Sequence, residues 1–232
     1  MDALLTPEFW LAVGQIVLID VLLGGDNAVV IALACRNLPA HLRRQGIFWG
    51  TLGAIGLRVV LIFFAMSLLA LPYLKLVGAL LLLWIGIKLM VPEEDGHDGV
   101  QGSDRLLGAI KTIILADLVM SVDNVIGIAG AAHGTGHEGH QMALVIFGLL
   151  VSIPIIVGGS TVVLKLMDRF PLIITAGAML LGWIAGTLAV GDPAVESHLP
   201  DSKSTHYFAG ALGALLVLVV GKVLSGRAPQ ES

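Results

Sequence analysis

Seven long apolar segments constrain the fold of this 232-residue chain more than any other feature. They cover residues 9–34, 46–71, 73–91, 106–132, 141–166, 170–190 and 206–224. A membrane-spanning helix needs about 20 predominantly apolar residues, which each segment provides. Because 56% of the residues are hydrophobic and only 13% are charged, the sequence predicts an all-α fold: a polytopic membrane helical bundle of seven transmembrane helices.

The distribution of Lys and Arg predicts the orientation of this bundle. Short cytoplasmic loops of membrane proteins accumulate basic residues. If the N-terminus lies outside, ten of the 13 basic residues fall on the cytoplasmic side, only Lys75 and Lys203 fall outside, and Arg58 lies within a span. We therefore predict an N-out, C-in protein, which agrees with an odd number of spans.

Charge and motif content exclude several classes of function. The chain has 17 acidic and 13 basic residues and a net charge of -4, so it offers no basic surface for nucleic acid. The sequence contains no nucleotide-binding loop, no HExxH pair and no nucleophile motif. We expect neither an enzyme nor a resident cofactor, and the lone Cys35 forms no internal disulfide.

An internal repeat relates the two halves of the chain. The segment DVLLGGDNAVVIALA at 20–34 aligns with DLVMSVDNVIGIAGA at 117–131. The alignment pairs Asp20 with Asp117, Asp26 with Asp123, and Asn27 with Asn124. With two residues inserted, it continues through the pairs Pro72 and Pro171, Gly78 and Gly177, and Trp84 and Trp183. Each repeat unit has three spans, an odd number, so the second copy enters the membrane from the opposite side. The sequence therefore predicts an inverted repeat, as found in many secondary transporters.

The repeat also divides the chain into parts. Residues 1–91 form the first three-helix repeat, and residues 106–191 form the second, inverted one. Residues 92–105 are an acidic cytoplasmic linker between them. Residues 192–232 comprise an extracellular loop, a seventh, accessory transmembrane helix and a short cytoplasmic tail. We interpret Trp84 and Trp183 as symmetry-related packing residues.

Four aspartates of the repeated motif are the candidate functional residues. Inverted repeats bring equivalent residues together near the bilayer midplane, so we expect Asp20, Asp26, Asp117 and Asp123 to converge with Asn27 and Asn124. Gly24 and Gly25 directly precede Asp26, where a helix break would release carbonyl oxygens as further ligands.

The negative charges of these carboxylates must be neutralised inside a membrane. One carboxylate at the centre of a membrane helix costs about 2.5–3.5 kcal/mol on the insertion scale. Arg58 is a candidate charge partner for one of them, and protons or a bound cation are the alternatives. Carboxylate and amide oxygens suit Mg²⁺, Ca²⁺ or Mn²⁺, and a motif without Cys or His argues against zinc or copper(I). The duplicated pattern favours such a site over hydrogen bonding between helices, the simpler interpretation.

The motifs GGDNAVVIALA (24–34) and ADLVMSVDNVIGIAGAA (116–132) resemble the paired motifs of the TerC family, in particular its YjbE-type branch. That family belongs to a wider LysE-like transporter group. The resemblance implies a bacterial inner-membrane protein that exports Mn²⁺, with the six motif Asp and Asn residues along the ion path. Because the sequence has no ATP-binding motif, export needs a coupled ion, and carboxylates that exchange protons for metal make inward H⁺ the candidate. Its expected partners are the lipid bilayer and the divalent ion, with no nucleic acid, and a homo-oligomer is left open.

The sequence is also compatible with other functions. The resemblance also admits transport of Ca²⁺ or an amino acid, tellurium resistance, or a non-transporting role in membrane protein insertion or assembly. Two loops carry further candidate groups. We interpret the His-rich loop His133–His140 as a solvated loop, with metal binding as the alternative. The acidic stretch Pro92–Asp98 is interpreted as a linker, with cation attraction as the alternative.

Overall fold

The computed structural model describes a bundle of helices. It covers residues 10, 11, 13–15, 17, 18, 25–69, 71–91, 102–133, 141–196, 198, 199 and 202–226, and for residues 63, 65–69, 123–133 and 141–145 the backbone alone. From Gly25 onward the helices are α1 Gly25–Cys35, α2 Ala40–Leu69, α3 Leu74–Met90, α4 Gly102–His133, α5 Gln141–Arg169, α6 Leu172–Val190, the single turn α7 Pro193–Glu196, and α8 Lys203–Ser225. Within these ranges no strand occurs, in agreement with the predicted all-α class.

Four helical segments in the described part are long and apolar enough to cross a membrane. They are Ala40–Ile62 within α2, Ile146–Arg169 within α5, and the whole of α6 and α8. Many large apolar side chains point outward, among them Val77, Val162 and Phe208. A soluble protein of this size rarely exposes so much apolar surface, whereas acyl chains cover it in a bilayer. The predicted class of helical membrane protein is therefore confirmed, and the count of seven spans stays a prediction.

Many contacts join helices that are far apart in the sequence. The most extensive pair α6 with α8, α2 with α4, α3 with α6, and α1 with α5. Gly50 and Gly53 on α2 lie directly against Ile113 and Ile114 on α4. Small residues let helix backbones approach closely, which is the main means of helix association in lipid. These two glycines therefore fix how α2 and α4 are aligned along their axes.

The contact between α6 and α8 is the tightest in the described bundle. A Cβ atom added at Gly182 would meet the carbonyl group of Gly213, and one added at Gly186 would meet that of Ala209. The ring of Trp183 lies over Gly210. Its repeat-related residue Trp84, in contrast, is 54% exposed at the surface. Symmetric packing of the two tryptophans is therefore not seen in the described part of the chain, where α8 covers Trp183 on α6 and no helix covers Trp84 on α3.

Arg43 links three helices at one end of the bundle. Its guanidinium donates to the carbonyl oxygens of Arg36 at 2.8 Å and Leu38 at 3.0 Å, just after α1. It also pairs with the carboxylate of Asp168 in the last turn of α5, with an N···O distance of 2.9 Å. In the predicted orientation this is the cytoplasmic end.

Asp192 links two connections at the opposite end of the bundle. Its buried carboxylate accepts hydrogen bonds from the backbone N–H groups of Tyr73 and Ala194, both at 2.9 Å, and of Leu76 at 3.1 Å. It therefore caps both α3 and α7. Tyr73 has a left-handed backbone with φ of 68°, a conformation that non-glycine residues rarely adopt, and its amide is oriented toward Asp192.

Asp192→Ala is expected to lower the free energy of unfolding by about 1–2 kcal/mol, since helix caps of this kind contribute that much. Burial alone would raise the pKa of Asp192, but the donated N–H bonds outweigh it and hold the pKa below its usual range. The carboxylate therefore stabilises the fold above about pH 4, the ordinary Asp value, and this contribution is lost as the pH falls through the folded-state pKa. Thermal unfolding in detergent against pH measures both effects.

The matched control for this variant is Glu196→Ala, at an exposed acid in α7 on the same connection. It should leave the midpoint nearly unchanged. An Asp192→Ala protein as stable as wild type at neutral pH would contradict the capping role.

Candidate ion site

A buried ionic network joins α2 and α4 in the middle of the bundle. Arg58 on α2 is 1% exposed, and its Nη2 donates to Oδ1 of Asp117 on α4. Its Nε donates to the hydroxyl oxygen of Ser121 at 2.9 Å. The Ser121 hydroxyl in turn donates to Oδ2 of Asp117 at 3.0 Å. Both oxygens of the carboxylate are therefore held by donors, and the charge of Asp117 is matched by that of Arg58.

Ser121 belongs to this network because of its spacing. It follows Asp117 by four residues on α4, and residues four apart lie on the same face of a helix. In the alignment of the two motifs Ser121 occupies the position of Gly24, and no role was predicted for it from the sequence. The spacing itself was the signal that could have revealed it.

Asn27 on α1 faces this network with an unsatisfied side chain. The residue is 3% exposed, and neither its Nδ2 nor its Oδ1 has a hydrogen-bond partner among the described residues. It lines a cavity of about 10 Å³ together with Asp117, and the remaining walls are the apolar side chains of Val30, Ile31 and Ile113. A cavity of this size holds about one water-sized particle. An unpaired buried amide costs about 1–3 kcal/mol, so its polar atoms favour a bound ligand.

Asp26 adds a second carboxylate beside Asn27. It lies in the first turn of α1, is half-buried, and its Oδ1 accepts the backbone N–H of Asn27 at 2.9 Å. It is close enough to Arg58 and Asp117 to interact electrostatically with both. Among these three charged side chains the sum is one negative charge, which attracts a cation. Carboxylate and amide oxygens together form a hard ligand set suited to Mn²⁺, Mg²⁺ or Ca²⁺.

Several of the predicted site residues lie outside what the structure describes. Asp20 and Gly24 lie outside the described residues, and Asp123 and Asn124 lie in α4 with their side chains outside them. Gly25 is the first residue of α1. The loop 134–140 and the stretch 92–98 lie outside as well. Among the described side chains, no group of three or more His, Cys, Asp or Glu residues is arranged to hold a metal. The convergence of all four aspartates stays a prediction.

Apolar helices around a buried network of Asp, Asn and Arg define an integral membrane protein with an internal polar site. The chain belongs to the TerC family of integral membrane proteins, whose family model matches residues 5–229. This confirms the resemblance of the two Asp–Asn motifs to that family.

Several relatives share most of the chain. It is 42% identical to the uncharacterized membrane protein YjbE of Bacillus subtilis over 185 residues, which cover 80% of this chain and 82% of that protein. It is 28% identical to the uncharacterized membrane protein YkoY of the same organism, over 99% of this chain and 76% of YkoY. It is 24% identical to the inner membrane protein YgdQ of Escherichia coli, over 88% of each. No solved structure gives a significant match. The predicted location in a bacterial cell membrane is confirmed.

Proposed function

We propose that this protein is a secondary transporter that exports divalent metal cations, chiefly Mn²⁺, through the site between α1 and α4. The observation that carries the proposal is the side-chain amide of Asn27, which is buried beside Asp117 in a cavity for one small particle and finds no hydrogen-bond partner in the described part of the chain. A side chain that served only to join helices would have its hydrogen bonds satisfied within the protein. The choice of Mn²⁺ and the outward direction come from the resemblance to the TerC family.

Helix packing supports the inverted repeat that this proposal uses. The first helix of each proposed half packs on the second helix of the other half, as α1 does with α5 and α4 does with α2. The repeat-related glycines behave alike: Gly78 on α3 lies against Val119 on α4, and Gly177 on α6 lies against Val29 on α1. Two interlocked halves of this kind can rock about a central site, which is how inverted-repeat transporters alternate access.

Export of a cation requires an energy source, because it moves charge against a membrane potential that is negative inside. The sequence contains no ATP-binding motif. Inward movement of H⁺ is the coupling reaction that we propose. It predicts that Mn²⁺ flux through proteoliposomes increases when the pH gradient favours inward H⁺ movement, and that it is insensitive to ATP.

Asp26→Asn is expected to reduce Mn²⁺ flux in proteoliposomes at least about tenfold, because it removes the negative charge that Arg58 leaves uncompensated. In a manganese-sensitive strain the same variant should lose protection at a normal protein level. Asp104→Asn, at an exposed acid in the first turn of α4, is the matched control and should transport like wild type.

Full transport by Asp26→Asn would contradict the proposed site. Saturable flux of Ca²⁺ or lysine in place of Mn²⁺ would assign a different substrate to the same fold. Partner proteins that co-purify, without any ion flux, would assign the protein to membrane assembly instead.

A further inference from the structure

Arg58 breaks the internal symmetry of the chain. The repeat aligns it with Ile155 or, after the two-residue insertion, with Val157, and both are apolar. The second half therefore supplies no cation at the position equivalent to that of Arg58. The motif aspartates and asparagines, in contrast, are present in both halves. Because only one half carries this charge, Arg58 is not part of the packing that the two halves share. We therefore look for its role in the ion site.

The contacts of Arg58 occupy the carboxylate that a metal ion would use. Its Nη2 binds Oδ1 of Asp117, and Ser121, which Arg58 also binds, covers Oδ2. The cavity beside Asn27 is bounded by this same Asp117. A cation in the cavity and the guanidinium of Arg58 therefore compete for one carboxylate.

The guanidinium of Arg58 stays positively charged throughout this competition. Arginine keeps its charge at any physiological pH, and the Arg58 side chain is buried, with 1% of its surface exposed. Deprotonation therefore does not remove its charge when a metal ion arrives. Its repulsion of a divalent cation is therefore present during every binding event.

We propose that Arg58 competes with the transported cation for the carboxylate of Asp117. Arg58 binds this carboxylate when no cation is bound, and it weakens cation binding enough for the cation to be released. This role rests on the proposed function. It makes Arg58 a positioning residue that sets the affinity for the metal ion. Removal of Arg58 should therefore tighten metal binding, whereas removal of a residue with a structural role alone would weaken it.

The test is a Mn²⁺ titration of the purified full chain in detergent, with free Mn²⁺ measured by electron paramagnetic resonance. Arg58→Gln should lower Kd for Mn²⁺ at least about tenfold, because a unit positive charge near the ion is removed. Arg58→Lys keeps the charge and should stay near the wild-type Kd. In proteoliposomes, Arg58→Gln should lower KM and also lower kcat, since a tightly held ion is released slowly.

Ser121→Ala provides a second variant if Arg58→Gln does not fold. It removes the acceptor of Arg58 Nε and the donor to Asp117 Oδ2, so the carboxylate becomes more available. We expect Kd for Mn²⁺ to fall about two- to fivefold, a smaller effect because the charge of Arg58 stays.

The outcomes separate this inference from the proposed function. If wild type binds Mn²⁺ and both Arg58→Gln and Ser121→Ala bind it equally or more weakly, the competitor role is overturned and the transport site stands. If neither wild type nor any variant binds Mn²⁺, the proposed function falls, and the competitor role falls with it. Binding that is measurable only in the variants supports the competitor role directly.

Discussion

Asp117→Ala is expected to lower the free energy of unfolding by about 3–5 kcal/mol, because it leaves the guanidinium of Arg58 buried without a counter-charge. Asp117 accepts hydrogen bonds from both Arg58 and Ser121, so its removal leaves two donors unsatisfied at once. Unfolding in detergent titrated with SDS and followed by circular dichroism at the helical band measures the change.

Two controls separate the loss of the charge pair from other effects. The double variant Arg58→Met with Asp117→Leu replaces the pair by apolar groups of similar size, which is often neutral for stability, and it should recover most of the loss. Asp104→Ala removes an exposed acid from the same helix and should have little effect. A loss below about 1 kcal/mol for Asp117→Ala, the range of exposed pairs, would contradict a buried ion pair.

Gly186→Val should destabilise the protein by about 3 kcal/mol, the upper range for overpacking. Its added side chain would collide with the backbone carbonyl of Ala209, and backbone atoms cannot rotate aside as the end of a flexible side chain can. We expect α8 to separate from α6 before the rest of the bundle unfolds. Limited proteolysis of the segment before α8, together with the SDS titration, measures both events.

Gly56→Val is the matched control for the glycine contact. Gly56 lies on the exposed face of α2, and apart from its own turn of helix no described atom lies within 4 Å of the position that a Cβ would take. The same chemical change in another apolar helix should therefore leave stability nearly unchanged. Equal destabilisation by both variants would attribute the effect to valine in a helix rather than to the α6–α8 contact.

The central ion pair shows what the sequence could and could not predict. Arg58 lies within an apolar segment, which identified it as a counter-ion for one of the four motif aspartates. The choice of Asp117 depends on how α2 and α4 are aligned, and Gly50 and Gly53 set that alignment by their fit against α4. Contacts between residues about 60 positions apart leave no periodic pattern in the sequence, so the partner could not be predicted.

Asp192 had a local signal that sequence reasoning did not use. It precedes Pro193, and Glu196 follows three residues after the proline. An acid before proline at the start of a helix is a common capping pattern. The N-cap of α7 was therefore predictable, whereas the hydrogen bonds that reach back to Tyr73 and Leu76 depend on the contact between α3 and α6 and were not.

The tryptophans differ in exposure, and this difference allows fluorescence to report on the accessory helix α8. Trp10, Trp49 and Trp84 are each more than half exposed, so quenchers dissolved in the lipid phase reach their indole rings. Trp183 is partly shielded, with its ring over Gly210 and 6.1 Å from the ring of Tyr207. Its fluorescence therefore reports without a label whether α8 stays in place while the other helices move.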